Sequence, residues 1–217
     1  MPADPEMLDY YARRAREYDR IYEKPERQAD LATLRTALAG AFSSKAVYEV
    51  ACGTGFWTEV IEPQCSGVFA TDHNDEVLIL ARARLEGSTK VVFANADAFA
   101  PPPAPFPVTA GFAAFWWSHV RRAELRAFLN AFFARLHPGA SFIFLDNSYV
   151  PGSSTPLCRT DAEGNTFQLR QLTNGERHEV LKNFPDEAEV RAVLADLAAG
   201  LKWTQLGYYW LIEGRVK

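Results

Sequence analysis

Two hydrophobic rhythms follow one another along this chain. Residues 8–22 and 27–40 carry apolar positions at helical spacing, with Leu31, Leu34 and Leu38 on one stripe, a break near Pro25 and a stop at Gly40. From Ala46 the runs shorten. "AVYEV", "GVFAT", "KVVFA", "VTAGFAAF" and "SFIFL" read as strands apolar on both faces, with helical segments between most of them. That alternation predicts a parallel sheet covered by helices on both sides. The helix before the fifth strand is well marked: Leu125, Phe128, Leu129, Phe132, Phe133 and Leu136 form one stripe, and His137-Pro138-Gly139 closes it. "APPPAPFP", from Ala100 to Pro107, is a loop before the fourth strand.

Past the fifth strand the period shortens to two. The segment at about 165–184 alternates around "TNGE" and predicts an inserted β-hairpin. A helix follows, with Asp186 and Glu189 in capping-box register and Gly200 expected just past its end. "KWTQL" and "YYWLIEGRV" then predict a closing antiparallel pair. The expected architecture is an α/β sheet of five parallel strands plus that pair. Residues 1–44 form an N-terminal helical segment, and residues 45–217 form the main domain.

Composition narrows the function. The chain has 217 residues, 48% of them hydrophobic, a net charge of -4 and a pI near 5.6. A folded domain without a basic footprint argues against a nucleic-acid partner. The basic run from Arg13 to Arg20 is interleaved with Glu17 and Asp19 and reads as a solvated helix face. Cys52, Cys65 and Cys158 show no metal-type spacing, and a reducing compartment is expected. No stretch has the length of a signal peptide core or a membrane span, so a cytoplasmic protein without a membrane partner is expected.

The candidate chemistry begins at "VYEVACGTGFWT", residues 47–58, a buried strand running into a glycine turn and a helix. Bare backbone at Gly53 and Gly55 lets a ligand approach closely, while helix amides point at it. Against the dinucleotide fingerprint, Gly53 as second glycine puts Phe56 at the third position, where helix and strand must touch; phenylalanine fits that poorly. Two acids follow at the ends of strands: Asp72, twenty-three residues after Glu49, and Asp97. An acid so placed can accept from both ribose hydroxyls. Each could instead cap a helix.

"EVACGTG" resembles the E/D-x-G-x-G-x-G loop of class I S-adenosylmethionine (SAM)-dependent methyltransferases, with Ala51 in place of the first glycine. The resemblance covers residues 46–146. It implies a Rossmann-like sheet, SAM as cofactor with S-adenosylhomocysteine (SAH) as product, and an N-terminal lid. It also implies a cofactor site made by Tyr11, Tyr18, Glu49, Ala51, Gly53, Thr54, Gly55, Trp57, Asp72, His73, Asp97, Ala98 and Phe115. Tyr11 and Tyr18, seven apart, share a helix face that either closes on the sulfonium or simply packs.

The expected acceptor pocket comprises Tyr10, Trp116, Trp117, Asn147 and Tyr149. His119 is the candidate general base, or else a cap or packing residue at the start of the next helix. The D/N-P-P-Y/F loop used for planar amines is missing at "AFWW", which disfavours base and release-factor methylation. Asp146-Asn147 is similar to the metal-ligand pair of catechol-type O-methyltransferases, but the further acid those enzymes need is replaced by aromatics and Ser118-His119, so no metal is expected. The expected function is methyl transfer to an oxygen or nitrogen of a small-molecule metabolite by a monomer or homodimer. The competing readings are a SAM-binding protein without methyl transfer and a NAD-type oxidoreductase.

Overall fold

The computed structural model describes residues 5–217, so the first four residues of the 1–44 segment lie outside the described residues. Strands β1 (Ala46–Val50), β2 (Gly67–Asp72), β3 (Val91–Asn95), β4 (Ala110–Ala114) and β5 (Ser141–Asn147) run parallel. They join β9 (Ala198–Gln205) and β10 (Tyr209–Val216) in one seven-stranded sheet of order β3-β2-β1-β4-β5-β10-β9. β10 is antiparallel to both of its neighbours, so it alone is reversed within the sheet. The strand order turns back between β1 and β4, and a crevice at such a switch point, outside the carboxyl ends of the strands, is where open α/β sheets bind ligands.

Helices α2 (Gln28–Ala41), α3 (Phe56–Ile61), α4 (Asp75–Arg84), α5 (Leu125–Phe133) and α6 (Glu187–Leu194) accompany the sheet. The stripe on α5 is core: Phe128, Leu129 and Phe132 are fully buried and pack with Phe142 and Phe144 of β5. β4 admits this helix because Gly111 has no side chain; a Cβ there would stand 2.6 Å from both Leu136 and Phe132. Removing one such phenylalanine leaves a cavity costing about 3–5 kcal/mol. The second core layer joins Leu31, Leu34 and Leu38 of α2 to β1, β2 and β4. β3, at the edge, is only half covered, against the expectation that all five strands are covered on both faces; Val92 is 41% exposed.

Three expectations are corrected. The first predicted helix is α1 (Pro5–Arg14) continued by a tighter 3-10 stretch, Ala15–Tyr22. The inserted hairpin, β7 (Thr166–Gln171) and β8 (Arg177–Leu181), gains a third strand, β6 (Leu157–Thr160), and forms a separate antiparallel sheet. Gly200 does not stop α6, which ends at Leu194; it lies inside β9 with a left-handed φ of +64°. The capping box at Asp186 and Glu189 forms as expected.

The small sheet and α1 hold each other. Tyr10 is buried with Leu172 and Val180, and Tyr11 packs on that cluster. The sheet is also stitched to the turn after β4: Asn183 N donates to Ser118 O at 2.8 Å and its side-chain amide to Val120 O at 3.0 Å. No described helix is long and apolar enough to cross a membrane.

Candidate active site

The glycine turn leaves β1 through three left-handed residues, Ala51 (φ 53°), Gly53 (φ 57°) and Gly55 (φ 75°). A Cβ at Gly53 would meet nothing within 4 Å, so this backbone stands open toward the cleft and can be approached by a ligand. Gly55 serves packing instead, since a Cβ there would sit 3.0 Å from Ala81 of α4. Asp72, at the end of β2, ties the turn to the next helix. Its carboxylate accepts from Gly53 N at 2.9 Å and from Asn74 N at 3.0 Å. Burial raises its pKa despite these amides.

The cleft above this turn is lined by Tyr11, Tyr18, Ala51, Gly53, Asp72 and His73, continuing across Asp97, Ala98, Phe115, Trp116 and His119. The sequence therefore brought most of the expected residues to one place. Asn74, Val77, Ala96 and Ala114 complete the lining and were not anticipated. They are neighbours of the expected acids and of the β4 end, and only the fold reveals which way each faces. Asp97 also bonds Phe99 N at 2.9 Å, so the capping reading of this acid holds alongside its place in the cleft.

Four expected cofactor residues do not line the cleft. Glu49 is buried beneath the turn, where its carboxylate accepts from the Thr58 hydroxyl at 2.8 Å; desolvation pushes its pKa up to about 8. Trp57 points into the core and donates to the Tyr22 hydroxyl at 3.1 Å, because the helix it starts turns that face toward α2. Thr54 is buried and donates to Asp19 at 2.6 Å. Gly55 makes the close approach to α4 described above. Phe56, which weighed against a dinucleotide, stacks on Tyr22 with ring centres 3.9 Å apart.

The segment Ala15–Tyr22 lies against the cleft through an aromatic series, Tyr11 to Tyr18 (5.9 Å) and Tyr18 to Tyr22 (6.2 Å). Asp19 latches it down, accepting from Thr54 of the glycine turn and pairing with Arg84 of α4. Burial lifts the Tyr11 phenol to about 12 and raises Tyr18 as well, so both stay protonated at neutral pH.

His119 sits in the wall at the far end, 7% exposed. Its Nδ1 lies 2.8 Å from Leu181 O, which can only accept, so Nδ1 carries the proton. Nε2 then accepts from the Tyr11 hydroxyl at 2.9 Å. Desolvation, with Lys182 and Arg170 nearby, holds the imidazole pKa well below its ordinary value. The lone pair expected to act as a base is thus occupied by Tyr11, and the ring is neutral.

Beyond His119 opens a second chamber of about 260 Å3. Tyr10 and Asn147 line it as expected, and Trp116 lines the cleft instead. Trp117 and Tyr149 are corrections. Trp117 is buried between Phe144 and Trp210, and Tyr149 lies 39% exposed against Phe184. The chamber also contains Arg14, from the basic run expected to be a solvated helix face, together with Lys24, Arg27, Gln168, Arg170 and Lys182, which the sequence did not single out. A signal for two of them was present. Gln168 and Arg170 alternate with Phe167 and Leu169 in β7, so the two polar side chains share one face of the strand, and both line the chamber.

Asp146 is wholly buried, accepting from Ser118 N and Oγ, both at 2.9 Å, and pairing with Lys182 at 3.1 Å. Among the described residues no group of three or more His, Cys, Asp or Glu side chains is arranged to hold a metal ion.

An open glycine backbone, an acid at the end of β2 and another after β3, all at the carboxyl ends of parallel strands, fit a nucleoside with an amino-acid tail. The comparisons agree. The family described as "Methyltransferase domain" matches residues 47–139. The structure of a DhpI–SAH complex is 26% identical, with a TM-score of 0.77 over 97% of this chain and 95% of that one. A DhpI–SAM–HEP complex, also 26% identical, gives 0.80 over 97% and 96%. SAM-bound CalS10, an amino pentose methyltransferase from Micromonospora echinaspora, is 18% identical with a TM-score of 0.63 over 93% and 96%, a likeness of fold. No curated protein matches the chain. The chain is a class I SAM-dependent methyltransferase, with SAM as its cofactor.

Proposed function

We propose that the enzyme transfers the methyl group of SAM to an oxygen or nitrogen of a small-molecule metabolite. The observation that carries this reading is a shared wall: Tyr11, Tyr18 and His119 border both the cleft over the glycine turn and the adjoining chamber. An acceptor in the chamber would face a methyl group offered from the cleft. When bound, SAM supplies an electrophilic methyl on a sulfonium. The protein's part is to align, dehydrate and, where needed, deprotonate.

Under this reading the backbone at Ala51 and Gly53 receives the amino-acid tail, with Glu49, Thr54 and Gly55 shaping the turn from behind. Asp72 takes the ribose hydroxyls. Asp97, with His73, Ala98 and Phe115, borders the adenine. Residues 1–44 act as a lid over the domain 45–217, its tyrosines excluding water and facing the sulfonium with aromatic surface. Tyr10 and Asn147 bound the acceptor in the chamber, and Trp116 borders the cleft. His119 acts through Tyr11, as a positioning residue that fixes the phenol, because a neutral imidazole of such low basicity is a poor direct sink for a proton. A chamber of about 260 Å3 has room for a metabolite rather than a nucleic-acid strand.

Incubation with SAM and a metabolite panel, following SAH by mass spectrometry, tests the proposal. Acceptor-dependent SAH is expected. A chain that binds SAM yet forms SAH with no small molecule on the panel would overturn it in favour of a non-methylating SAM-binding role.

A further inference from the structure

The chamber next to the cofactor cleft has a composition at odds with the chain around it. The protein carries a net charge of -4, yet this cavity is lined by Arg14, Lys24, Arg27, Arg170 and Lys182, and none of its lining residues is an acid. Among the described residues, only Lys182 of these five forms an ion pair, with Asp146. The others are hydrogen-bonded to neutral acceptors. Arg170 donates to the Gln168 amide oxygen at 3.2 and 2.8 Å, and Arg14 to the Tyr10 hydroxyl at 2.8 Å. Arg27 reaches Asn147 Oδ1 at 3.4 Å and Ser153 Oγ at 3.1 Å, and Lys24 reaches Ser153 O at 2.9 Å.

Arg27 is 7% exposed, and its Nε is a buried donor with no partner. Aromatic faces moderate part of the cost: Arg27 lies over Tyr208 at 5.1 Å and Arg14 over Tyr18 at 5.6 Å. Neither contact supplies a negative charge. Cations gathered in a cavity whose own lining holds no acid repel one another, and a bound anion offsets that cost. Guanidinium forks match the paired oxygens of carboxylate and phosphate-type groups.

We propose that the methyl acceptor is a small organic oxyanion whose charged group is seated in this chamber by Arg14, Arg27 and Arg170, with Lys24 at its rim. This rests on the reading of the chamber as the acceptor site. Tyr11, Tyr18 and His119 form the wall common to chamber and cleft, so an anion anchored on the arginines holds the rest of its molecule beside the transferring methyl. Specificity follows from charge. A neutral analogue leaves the arginines unpaired and binds weakly.

Calorimetric titration of the full chain, with and without saturating SAH, tests the proposal using methylphosphonate, inorganic phosphate, propionate and neutral propanol as probes. Binding of at least one oxyanion and none of propanol is expected, and the first two probes against propionate separate phosphorus acids from carboxylates. Arg170→Gln and Arg14→Gln should each weaken the bound oxyanion at least fivefold while SAH affinity changes less than twofold. Arg170→Lys should recover part of the loss, and circular dichroism melts confirm that each variant is folded.

Absence of oxyanion binding, equal binding of propanol, or variants with undiminished oxyanion affinity would overturn the inference. So would a parallel loss of SAH affinity, which would assign the cations to the cofactor's own carboxylate. Failure of SAH to bind the wild-type chain, with oxyanion binding intact, would instead strike the methyltransferase assignment.

Discussion

The Tyr11 hydroxyl donates to His119 Nε2 across 2.9 Å, joining a residue of α1 to one in the turn after β4. One hydrogen bond thus ties the N-terminal segment to the sheet at the place where cleft and chamber meet. Because Nδ1 is engaged by Leu181 O, the imidazole has no freedom to exchange tautomers without breaking that bond.

Tyr11→Phe and His119→Gln should therefore lower kcat about 10–100-fold while changing SAM affinity less than threefold, as loss of positioning does. The pH profile separates the roles. The His119 pKa lies well below 6.5, so kcat should show no inflection near that value. A wild-type inflection near pH 6.5 that vanishes in His119→Gln would contradict the positioning role.

The same histidine makes a stability prediction. Its folded pKa lies below the unfolded one, so below pH 6.5 the unfolded chain binds more protons and stability is lost as pH falls. His119→Gln should flatten that acid limb in urea titrations between pH 7 and 5. An unchanged slope would mean the imidazole is not held neutral.

Glu49 behaves in the opposite sense. Burial raises its folded pKa to about 8, so between the unfolded value near 4.5 and pH 8 the folded state binds more protons and stability falls as pH rises. Glu49→Gln keeps the bond from Thr58 and removes the buried charge. It should leave stability at pH 5 nearly unchanged and raise it by about 1–3 kcal/mol at pH 9, read from urea midpoints. A variant less stable at pH 9 would show that the carboxylate is needed as an anion.

Ala51 holds a left-handed φ of 53° where the family loop has glycine. The conformation costs an L-residue about 1–2 kcal/mol, and glycine's greater unfolded entropy returns part of that. Ala51→Gly should raise stability by about 0.5–1 kcal/mol without weakening SAM. A loss of stability would show that the methyl group is packed.

Lys182→Met strips the partner from a carboxylate that is 0% exposed. It should cost about 3–5 kcal/mol, and Lys182→Met with Asp146→Asn should recover much of it. A double variant no better than the single would show that the pair is not coupled.

Much of the fold was legible because it is written in local patterns: the stripe Leu125 to Leu136, the doubly apolar strands and the capping box at Asp186 each need only neighbours in sequence. The cofactor cleft was legible because its acids and glycines sit at strand ends, where topology alone brings them together. What escaped depends on direction in space. Trp57 and Trp117 look like pocket aromatics in sequence, yet each faces the core because its short helical turn rotates it inward. The cations of the chamber come from the N-terminal segment, α2's approach and the small sheet, and no local spacing relates Arg14 or Arg27 to Arg170. β6, short and exposed, carries no apolar face for a pattern to register.

The central claim is that a sulfonium nucleoside lies across the glycine turn with its sugar on Asp72. Titration calorimetry of wild type and Asp72→Ala with SAM, SAH and NAD tests it directly. The account predicts binding of SAM and SAH but not NAD by the wild type, and at least a tenfold loss in Asp72→Ala in a variant whose melting confirms that it is folded. Undiminished SAM affinity in that variant, or NAD bound as well as SAM, would contradict it.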